Sequence, residues 1–600
     1  MVNNKDQTHA MRHSLAHIMA AAIKELWSEV RFGVGPVIDN GFYYDVDLGG
    51  KVITEDDLPK IESKMKDLIK ADLAFEQFDL PIDEAIKKET DNNQLYKAEL
   101  LDDLKKKGTT SVSDIDPNTL DASKVDNVSY YRCGNFEDLC RGPHLASTGK
   151  VGVFKLHKLA GAYWRGDESK PMLQRIYGIA FKTQKELDEH FELMFEAEKR
   201  DHRKLGQELD LFTFSDLVGS GLPLFKPKGA TLRSLLSRYS QQLRQERGFE
   251  EVWIPHITKT DLYKQSGHWD KFGDELFMVQ SQETSDDLAL KPMNCPHHAQ
   301  IYTSQMHSYR DLPVKYMEST TVYRDEKSGE LHGLSRVRSI TMDDSHVFAT
   351  PNQVESVVTE LVEAAQELYK VLGMDLSLRL SFRDDTNNYL GEESLWNKAQ
   401  LSLESIAKKQ KLEYIVEAGE AAFYGPKLDF MATDAIGREW QLATVQLDFV
   451  QPQRFGLEYV SEDGSRQTPV MVHAALLGSI ERFLSVYIEH TNGRFPFWVA
   501  PEQVRILTVN EDVLNYVREV TEILSGTVLV KPLNHNQLRF SVDSSNQSLG
   551  KKIRQAETEK VPVILIVGPK DEKAHEVSVR KDGKEQKIKL DNIKEFLLGI

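Results

Sequence analysis

The N-terminal part of the chain combines a helical hydrophobic pattern with short strand-like segments. Apolar residues recur at helical spacing from His9 to Trp27, which predicts an amphipathic helix. Turns rich in glycine and asparagine follow at 33–36 and 39–41, and an aromatic stretch, Phe42–Tyr44, adjoins them. A helix followed by short strands and tight turns predicts an α+β domain at the start of the chain.

A charged helical run separates this region from the next one. Residues 183–204 have a helical pattern rich in acidic and basic side chains, and Gly206 and Gly219 follow it. Such a run, ended by glycine, is typical of a boundary between domains. We therefore expect a linker helix at 183–208 and a second domain that begins near Asp210.

The C-terminal part alternates strand and helix patterns. A break rich in proline and aromatic residues occurs at 494–501. Strands are predicted after it at Val504–Val509 and Val561–Val567, and helices at Asp512–Leu524 and Leu549–Glu557. This alternation predicts a small α/β domain, so the chain as a whole is a multidomain α+β and α/β protein.

Length and charge change this picture in two ways. At 600 residues the chain exceeds what one hydrophobic core organises, so several domains are expected. The net charge of −18 argues against a protein that coats nucleic acid with positive charge, so any RNA contact must be local. The three cysteines are too few for a disulfide scaffold, and the sequence shows neither a leader nor a membrane span. We expect a cytoplasmic protein with no membrane contact.

Three separated segments of the middle region resemble motifs 1, 2 and 3 of class II aminoacyl-tRNA synthetases. The first, Arg247–Pro255, follows a predicted helix at Leu232–Glu246. The second runs from Arg324 to His346, and the third starts a helix at Gly478–Phe483. Each alone reads as a charged hairpin, a loop or an ordinary helix. Together they imply an antiparallel-sheet catalytic core and, through motif 1, a homodimer.

The same resemblance implies binding of ATP with Mg²⁺. Activation of an amino acid passes through a crowded, negatively charged phosphorus centre, which fixed guanidinium groups stabilise. By the resemblance, Arg324 contacts the α-phosphate and Glu326 contacts the adenine amino group. Arg336 and Arg482 hold the outer phosphates. The full catalytic set that the resemblance implies is Arg324, Glu326, Arg336, Arg482, Lys427 and His268.

A cysteine and two histidines of the middle region form a candidate metal site. Cys295, His346 and His473 offer one thiol and two imidazoles, a donor set that suits Zn²⁺ with its fourth position open. Their spacing alone leaves a packed cysteine as the alternative. However, the chain resembles threonyl-tRNA synthetases over nearly its whole length. The resemblance includes the segments that hold these three residues, KPMNCP, TMDDSH and PVMVHAALLGSIER, and the segments AFYGPK and TVQLDF. It implies one Zn²⁺ per subunit, L-threonine as substrate and tRNA(Thr) as partner. The implied substrate-binding residues are Asp344, Tyr424, Gln441, Gln446 and Thr444.

The selectivity of such a zinc site explains why a second, hydrolytic site is needed to remove wrongly attached amino acids. An open metal position binds a substrate with both an amino group and a β-hydroxyl, and valine lacks the hydroxyl. Serine keeps both groups and differs by one methyl, worth only about 1–3 kcal/mol. A hydrolytic site that removes serine from tRNA(Thr) is therefore expected.

The N-terminal region holds a second cluster of thiol and imidazole groups. His13 and His17 lie four residues apart on one face of a predicted helix, which is often a coincidence. The cluster has metal-like spacing, but it also matches the editing domain of threonyl-tRNA synthetases, so its metal stays open. In that domain a carboxylate would orient water and a lysine would offset ester or phosphate charge. The implied editing set is His13, His17, Cys140, His144, Asp138 and Lys97.

The C-terminal domain resembles the anticodon-binding domain of several class II synthetases. Reading an RNA sequence needs splayed bases held by side-chain donors and acceptors. Ordinary surface residues of an α/β domain are the alternative, because the family's Arg-Asn-Glu-Lys stretch is here Ser545–Ser548. The implied anticodon-binding residues are Asn546, Arg554, Asp571 and Arg580.

The resemblance divides the chain into an editing domain at 1–182, a linker helix at 183–208, a class II catalytic domain at 209–498 and an anticodon-binding domain at 499–600. It also implies that the small ubiquitin-like N-terminal domain of bacterial members is lacking. The implied activity is that of an aminoacyl-tRNA ligase that activates L-threonine with ATP, transfers it to tRNA(Thr) and hydrolyses Ser-tRNA(Thr).

Three positions depart from the family pattern. Ile340 and Met342 replace an aromatic ring and an amide, and Ala474 follows His473 where arginine is usual. Weakened ATP or threonine binding would fit the alternative of a synthetase-like RNA-binding regulator with weak or no aminoacylation. A free-standing editing hydrolase is the other alternative, and the complete three-motif core argues against it.

Overall fold

The computed structural model describes residues 4–108, 125–167, 169–386 and 389–600, without the side chains of residues 4–6 and 274. The chain divides into two units, Met1–Phe195 and Glu196–Ile600, which are described separately.

The first unit is built around its N-terminal helix, Asn4–Leu26. Its sequence is rich in alanine, leucine, isoleucine and methionine, which favour a helix, and side chains such as Leu15, Ile18 and Ile23 are fully buried. The predicted helix at 9–27 is thus confirmed and begins earlier. The other helices of this unit are Leu58–Lys70, Ile82–Asp91 and Leu95–Lys107.

Two antiparallel sheets complete the first unit. The larger has the strand order Arg31–Phe32, Gly41–Asp47, Met172–Phe181 and Val153–Tyr163, with Val37–Ile38 paired to Gly41–Asp47. The smaller has the order Phe75–Pro81, Asn127–Cys133 and Phe136–Leu139. The predicted α+β arrangement is confirmed, and the strand predicted at Phe42–Tyr44 is the middle of Gly41–Asp47.

The predicted linker is two helices. Gln184–Lys199 ends before Asp201, whose side chain accepts a hydrogen bond of 2.8 Å from the backbone nitrogen of Arg203 and caps the helix His202–Glu208. The single helical run expected at 183–208 is therefore interrupted by this cap. The domain boundaries drawn from the sequence stay predictions.

An eight-stranded sheet forms the centre of the second unit. Its inner pairs are antiparallel, and only the two edge strands run parallel to their neighbours. The strand order is Glu250–Glu251, Val314–Tyr323, Ser339–Ala349, Val470–Ser479, Glu439–Asp448, Lys427–Thr433, Asp375–Phe382 and Tyr414–Ala418. Helices including Pro227–Gln245, Val354–Leu372 and Ile480–Thr491 contribute to the large hydrophobic core on this sheet. The expected antiparallel catalytic core is confirmed.

Shorter elements surround this sheet. The helices are Thr260–Ser266, His268–Phe272, Cys295–Thr303, Glu393–Lys409 and Gln451–Arg454. The small sheets are Ile257–Lys259 with Asp287–Leu290 and Met278–Gln280, Phe212–Thr213 with Leu224–Phe225, and Tyr459–Val460 with Arg466–Gln467.

The C-terminal part has its own five-stranded sheet, in the order Phe540–Asp543, Val504–Thr508, Val563–Val567, Glu576–Lys581 and Lys584–Lys589. Its helices are Leu514–Ser525, Leu549–Thr558, Pro569–Ala574 and Ile593–Leu598. The first three strands are parallel, and the inner two, Val504–Thr508 and Val563–Val567, are buried along their whole length, which explains their largely apolar sequences. The predicted α/β domain is confirmed. Nowhere in the described ranges is a helix both long and apolar enough to cross a bilayer.

Candidate active sites

The three candidate metal ligands meet at the middle of the large sheet. His346 and His473 lie directly opposite each other on adjacent antiparallel strands, so both imidazoles project on the same face. Cys295 is the first residue of the helix Cys295–Thr303. All three are buried, and one ligand atom from each lies within 4.8 Å of the others. The structure therefore brings these distant residues together, and their role as zinc ligands stays a prediction.

Neighbouring polar groups orient both imidazoles. Nε2 of His473 lies 2.9 Å from Oδ2 of Asp448, which is fully buried. Nδ1 of His346 lies 2.8 Å from Nδ1 of His298. Each imidazole therefore has one nitrogen engaged by a neighbour and the other left to face a ligand, as in protein zinc sites. Burial raises the pKa of Cys295 well above its usual value in the absence of a metal.

The residues predicted to bind the amino acid line the same face. The ring of Tyr424 stacks on His473 with centroids 4.9 Å apart, and its hydroxyl donates to Oε1 of Gln446 at 2.6 Å. Gln446 reaches Thr444 on the same strand, two residues away. Asp344 accepts a 2.9 Å hydrogen bond from Asn294, and burial raises the pKa of its carboxyl group.

A buried carboxylate, Asp429, organises the adjoining strand. Nζ of Lys427 lies 3.2 Å from its Oδ2, and a guanidinium nitrogen of Arg379 lies 3.3 Å from the same oxygen. The hydroxyl of Thr444 donates to its Oδ1 at 2.9 Å. The guanidinium of Arg379 also donates to Gln441 at 2.8 Å. Lys427, Thr444 and Gln441 thus belong to one hydrogen-bonded group.

His268 lies beside the metal candidates. It is fully buried, and its Nε2 lies 3.6 Å from the sulfur of Cys295 while its Nδ1 lies 2.7 Å from the hydroxyl of Ser266. Burial lowers the pKa of His268 to about 3, so the imidazole is neutral at pH 7.

The predicted ATP-binding residues lie at the ends of the central strands. The guanidinium of Arg324 stands 4.9 Å from the ring of Phe272, and its Nε is buried without a hydrogen-bond partner among the described residues. Glu326 pairs with Arg336 through contacts of 2.8 and 2.7 Å. Arg482 lies in the first turn of the helix Ile480–Thr491, and within the described ranges its guanidinium has no hydrogen-bond or ion-pair partner.

The three departures from the family pattern have clear positions. Ile340 and Met342 are half-buried on the strand Ser339–Ala349, opposite Val322 and Thr320. Ala474 is buried in the hydrophobic core on the sheet, on the face opposite to that of its neighbour His473.

A cavity of about 570 Å³ in the first unit contains most of the predicted editing residues. The sulfur of Cys140 lies 3.2 Å from Nε2 of His13 and 3.2 Å from Nε2 of His144. His17 is buried, with its ring 5.2 Å from that of His144. Burial lowers the pKa of His17 to about 4, and burial with the nearby His13 lowers that of His144 to about 2.

A buried ion pair forms another part of this cavity. Lys97 contacts Asp138 at 2.8 Å, and the hydroxyl of Tyr44 donates to the second oxygen of Asp138. Lys97 also donates to the Tyr44 hydroxyl at 3.1 Å. The two charges compensate each other, so the cavity combines neutral imidazoles with a fixed carboxylate.

The predicted anticodon-binding residues divide into two groups. Asn546 and Arg554 are exposed, and Arg580 pairs with Glu557 at 2.8 Å on the surface. Asp571 is buried, and its carboxylate accepts hydrogen bonds from Gly568 and Ser578 within the protein. It therefore has a structural role as a helix cap, and its contact with RNA stays a prediction.

The sequence interpretation missed several residues of these sites. The site around Cys295, His346 and His473 also depends on hydrogen bonds with Asp448, Asp429 and Arg379. Tyr44 contributes a hydrogen bond to Asp138 in the cavity of the first unit. Asp448 could have been found, because it lies four residues after Thr444 on a strand and therefore shares its face. Asp429 lies two residues after Lys427 on one strand, but its other partners, like those of Arg379 and Tyr44, are distant in sequence and leave no local signal.

Three family profiles match the chain. "tRNA synthetase class II core domain (G, H, P, S and T)" matches residues 277–491, and "Threonyl and Alanyl tRNA synthetase second additional domain" matches 128–177. "Anticodon binding domain" matches 503–600. The three matches follow one another in the predicted order, and the exact domain boundaries stay predictions.

Whole-chain similarity decides the family. A threonine–tRNA ligase of Gloeobacter violaceus is 46% identical over 587 residues, which cover 96% of this chain and 89% of that protein. The chain belongs to the threonine–tRNA ligase family. A threonine–tRNA ligase of Porphyromonas gingivalis is 44% identical over 580 residues, covering 96% of this chain and 84% of that protein. The solved RNA binding domain of threonyl-tRNA synthetase from Cryptosporidium parvum Iowa II is 34% identical, with a TM-score of 0.62 over 66% of this chain and 98% of that chain.

Membership in the threonine–tRNA ligase family establishes the general activity. The chain is an aminoacyl-tRNA ligase that charges tRNA with threonine, uses ATP with Mg²⁺ and carries an editing domain. The interpretation as a regulator without aminoacylation is not favoured, nor is that of a free-standing hydrolase, because the class II core is present.

Proposed function

We propose that two sites with different chemistry share the selection of threonine. The site around Cys295, His346 and His473 activates L-threonine with ATP and transfers it to the 3′ end of tRNA(Thr). The cavity around His13 and Cys140 hydrolyses Ser-tRNA(Thr). The observation that carries this proposal is the convergence of one thiol and two imidazoles on the face that holds the predicted substrate-binding residues.

Zn²⁺ is the metal that this donor set suits best. One sulfur and two imidazole nitrogens, with partners that fix the imidazole orientation, are the ligands of a tetrahedral zinc site with one open position. Held by Cys295, His346 and His473, zinc would supply a Lewis acid for the amino and β-hydroxyl groups of threonine. Tyr424 and Asp344 flank this position and would orient the amino acid.

The arginines at the strand ends are proposed to bind ATP. Arg324 packs against the ring of Phe272 and its Nε has no hydrogen-bond partner among the described residues, so it suits the α-phosphate. The guanidinium of Arg482 is proposed to bind the outer phosphates of ATP, and Arg336 is proposed to bind them with it. Glu326 is buried against Arg336 and would accept from the adenine amino group. Lys427, Gln441, Gln446, Thr444 and His268 are proposed to complete the site.

Editing is proposed to use the neutral imidazoles and the carboxylate of the first unit. Burial keeps His17 and His144 neutral at pH 7 and also makes both weak bases, so the unpartnered Nε2 of His17 is proposed to accept a hydrogen bond from water and position it. Asp138 would orient water, and Lys97 would offset the ester or phosphate charge. The thiol of Cys140 has a pKa raised by burial to about 11, so it is protonated at pH 7 and acts as a donor. Whether the cluster holds a metal is left open by this mechanism.

The remaining proposals concern assembly. Trp253, in the motif 1 segment, is 77% exposed, which supports burial of this segment between two subunits of a homodimer. Asn546, Arg554 and Arg580 present polar groups at the surface of the C-terminal domain for the anticodon. We also propose a cytoplasmic location and four regions of the chain: an editing domain at 1–182, a linker at 183–208, a catalytic domain at 209–498 and an anticodon-binding domain at 499–600.

The test is a pair of assays on the full-length protein. Threonine-dependent exchange of pyrophosphate into ATP measures activation, and release of serine from preformed Ser-tRNA(Thr) measures editing. The proposal expects both activities in the same chain. Absence of exchange would contradict the first site, and absence of serine release would contradict the second.

A further inference from the structure

A buried imidazole outside both sites connects the linker to the ATP-binding side of the second unit. His202 is the first residue of the helix after the linker break and is 1% exposed. Its Nε2 lies 3.1 Å from the backbone nitrogen of Leu334, in the first part of motif 2, residues 324–338. Its Nδ1 lies 2.7 Å from Oε1 of Glu489, on the helix Ile480–Thr491.

The hydrogen bonds fix the protonation of this imidazole. A backbone N–H can only donate, so Nε2 of His202 accepts from Leu334 and carries no proton. The proton on Nδ1 is donated to Glu489, which also pairs with Arg438 at 2.5 Å. Burial opposes ionisation of Glu489, but the hydrogen bonds from His202 and Arg438 outweigh it and lower its pKa.

A metal role for this imidazole is excluded by the same contacts. Asp201, His202 and Glu489 offer ligand atoms within 4.8 Å of one another. Both ring nitrogens of His202 are already used, however, and the carboxylate of Asp201 is held by Arg203. The cluster is therefore a hydrogen-bonded support.

The loop backbone packs directly on the ring. Gly333 has a φ of +51°, and a Cβ built on it would lie 2.2 Å from Nε2 of His202. Only glycine allows this approach, because any side chain would push the loop away from the imidazole. The ring therefore fixes the position of the backbone just before Arg336. The guanidinium of Arg336 in turn pairs with Glu326 at 2.8 Å.

We infer that His202 is a positioning residue for ATP. It holds the backbone at Leu334, so that Arg336 and Glu326 keep their geometry, and it is anchored on the helix that also carries Arg482. The inference rests on the proposed function, in which these side chains bind ATP. It makes the second linker helix, His202–Glu208, part of the support of the ATP-binding residues through the backbone of motif 2.

The test compares His202→Leu and His202→Gln in full-length protein by threonine-dependent exchange of pyrophosphate into ATP. The Leu variant is expected to raise KM for ATP about tenfold, the size of one lost hydrogen bond, while KM for threonine changes less than about twofold. The Gln variant is expected to recover most of the loss, because its amide oxygen can accept from Leu334. His490→Leu, which changes a histidine on the helix Ile480–Thr491 beside Glu489 and leaves the contacts of His202 intact, is the matched control and is expected to match wild type.

A second variant covers the case in which His202→Leu does not fold, as judged by circular dichroism and thermal melting. Gly333→Ala leaves the imidazole in place and pushes the loop away from it, so it is expected to raise KM for ATP in the same way. Unchanged KM for ATP in the folded variants would overturn the inference, as would an equal rise in His490→Leu. Absence of exchange by the wild type would instead overturn the proposed function and this inference with it.

Discussion

His473 and Asp448 form a buried pair in which Nε2 of the imidazole lies 2.9 Å from Oδ2 of the carboxylate. The carboxylate also accepts from the side chain of Gln451 at 2.7 Å, so it cannot turn away. A carboxylate that orients a ligating imidazole strengthens metal binding. The proposed zinc site therefore depends on a residue outside the three ligands.

The first prediction follows from this pair. Asp448→Asn is expected to weaken zinc binding about 10- to 100-fold, the usual cost of removing such a partner, and Cys295→Ala is expected to remove the zinc. Metal analysis after dialysis against a chelator measures both. Cys133→Ala changes a buried cysteine of the first unit and serves as the control. Zinc content equal to wild type in Cys295→Ala would show that the assignment is wrong.

The second prediction concerns activation. Arg324→Ala and Arg482→Ala are each expected to slow adenylate formation at least about 100-fold, because one preorganised charge donor commonly contributes roughly 3 kcal/mol. Rapid-quench measurement of adenylate gives the rate. Arg466→Ala, which removes an arginine from a surface ion pair with Glu458, should leave the rate unchanged. Near-normal rates in either active-site variant would count against the motif assignment.

The third prediction concerns editing. Replacement of His13 and His17 by Ala is expected to leave threonine loading near normal while Ser-tRNA(Thr) accumulates, because the two activities use separate sites. The deacylation rate of preformed Ser-tRNA(Thr) is the measurement. Equal rates for wild type and the double variant would remove the editing function from this cavity.

The fourth prediction is the pH dependence of the first unit. Unfolded histidine binds a proton below about pH 6.5, whereas folded His17 binds one only near pH 4. The unfolded state therefore binds more protons between these values, and the free energy of unfolding should fall as the pH falls from about 6.5 to about 4. Hydrogen exchange of the helix Asn4–Leu26 in the full-length protein measures it. His17→Phe should have a shallower dependence, and an unchanged slope would contradict the assignment.

The fifth prediction concerns RNA binding. Arg580→Ala is expected to raise KM for tRNA about tenfold or more, as for a lost contact of roughly 1–3 kcal/mol, and to leave threonine activation intact. Aminoacylation as a function of tRNA concentration, with pyrophosphate exchange as the internal control, measures this. Equal loss of both activities would indicate misfolding in place of a lost anticodon contact.

The sequence predicted most of the architecture because hydrophobic period and turn residues are local signals. The helix at 9–27 and the strands at Val504–Val509 and Val561–Val567 all correspond to observed elements. The break at Asp201 was missed because a cap can interrupt a helical run without changing its charge pattern. The metal ligands were found through family resemblance, since residues so far apart meet only through strand register.

The supporting residues could not be predicted in the same way. Asp429 meets Arg379 and Thr444 only after three strands pair, and His202 meets Leu334 only after a loop folds onto the linker. Each has an ordinary local sequence, and its role depends on partners that only tertiary structure supplies.

The most direct test of the two-site account is amino-acid selection in pyrophosphate exchange by the wild-type protein. Threonine should support exchange efficiently, and serine should support it with a loss of only tens-fold to about 200-fold, because it lacks one methyl. Valine, which has no hydroxyl for the metal, should support almost none. Exchange with valine as efficient as that with serine would contradict selection by the Cys295, His346 and His473 site.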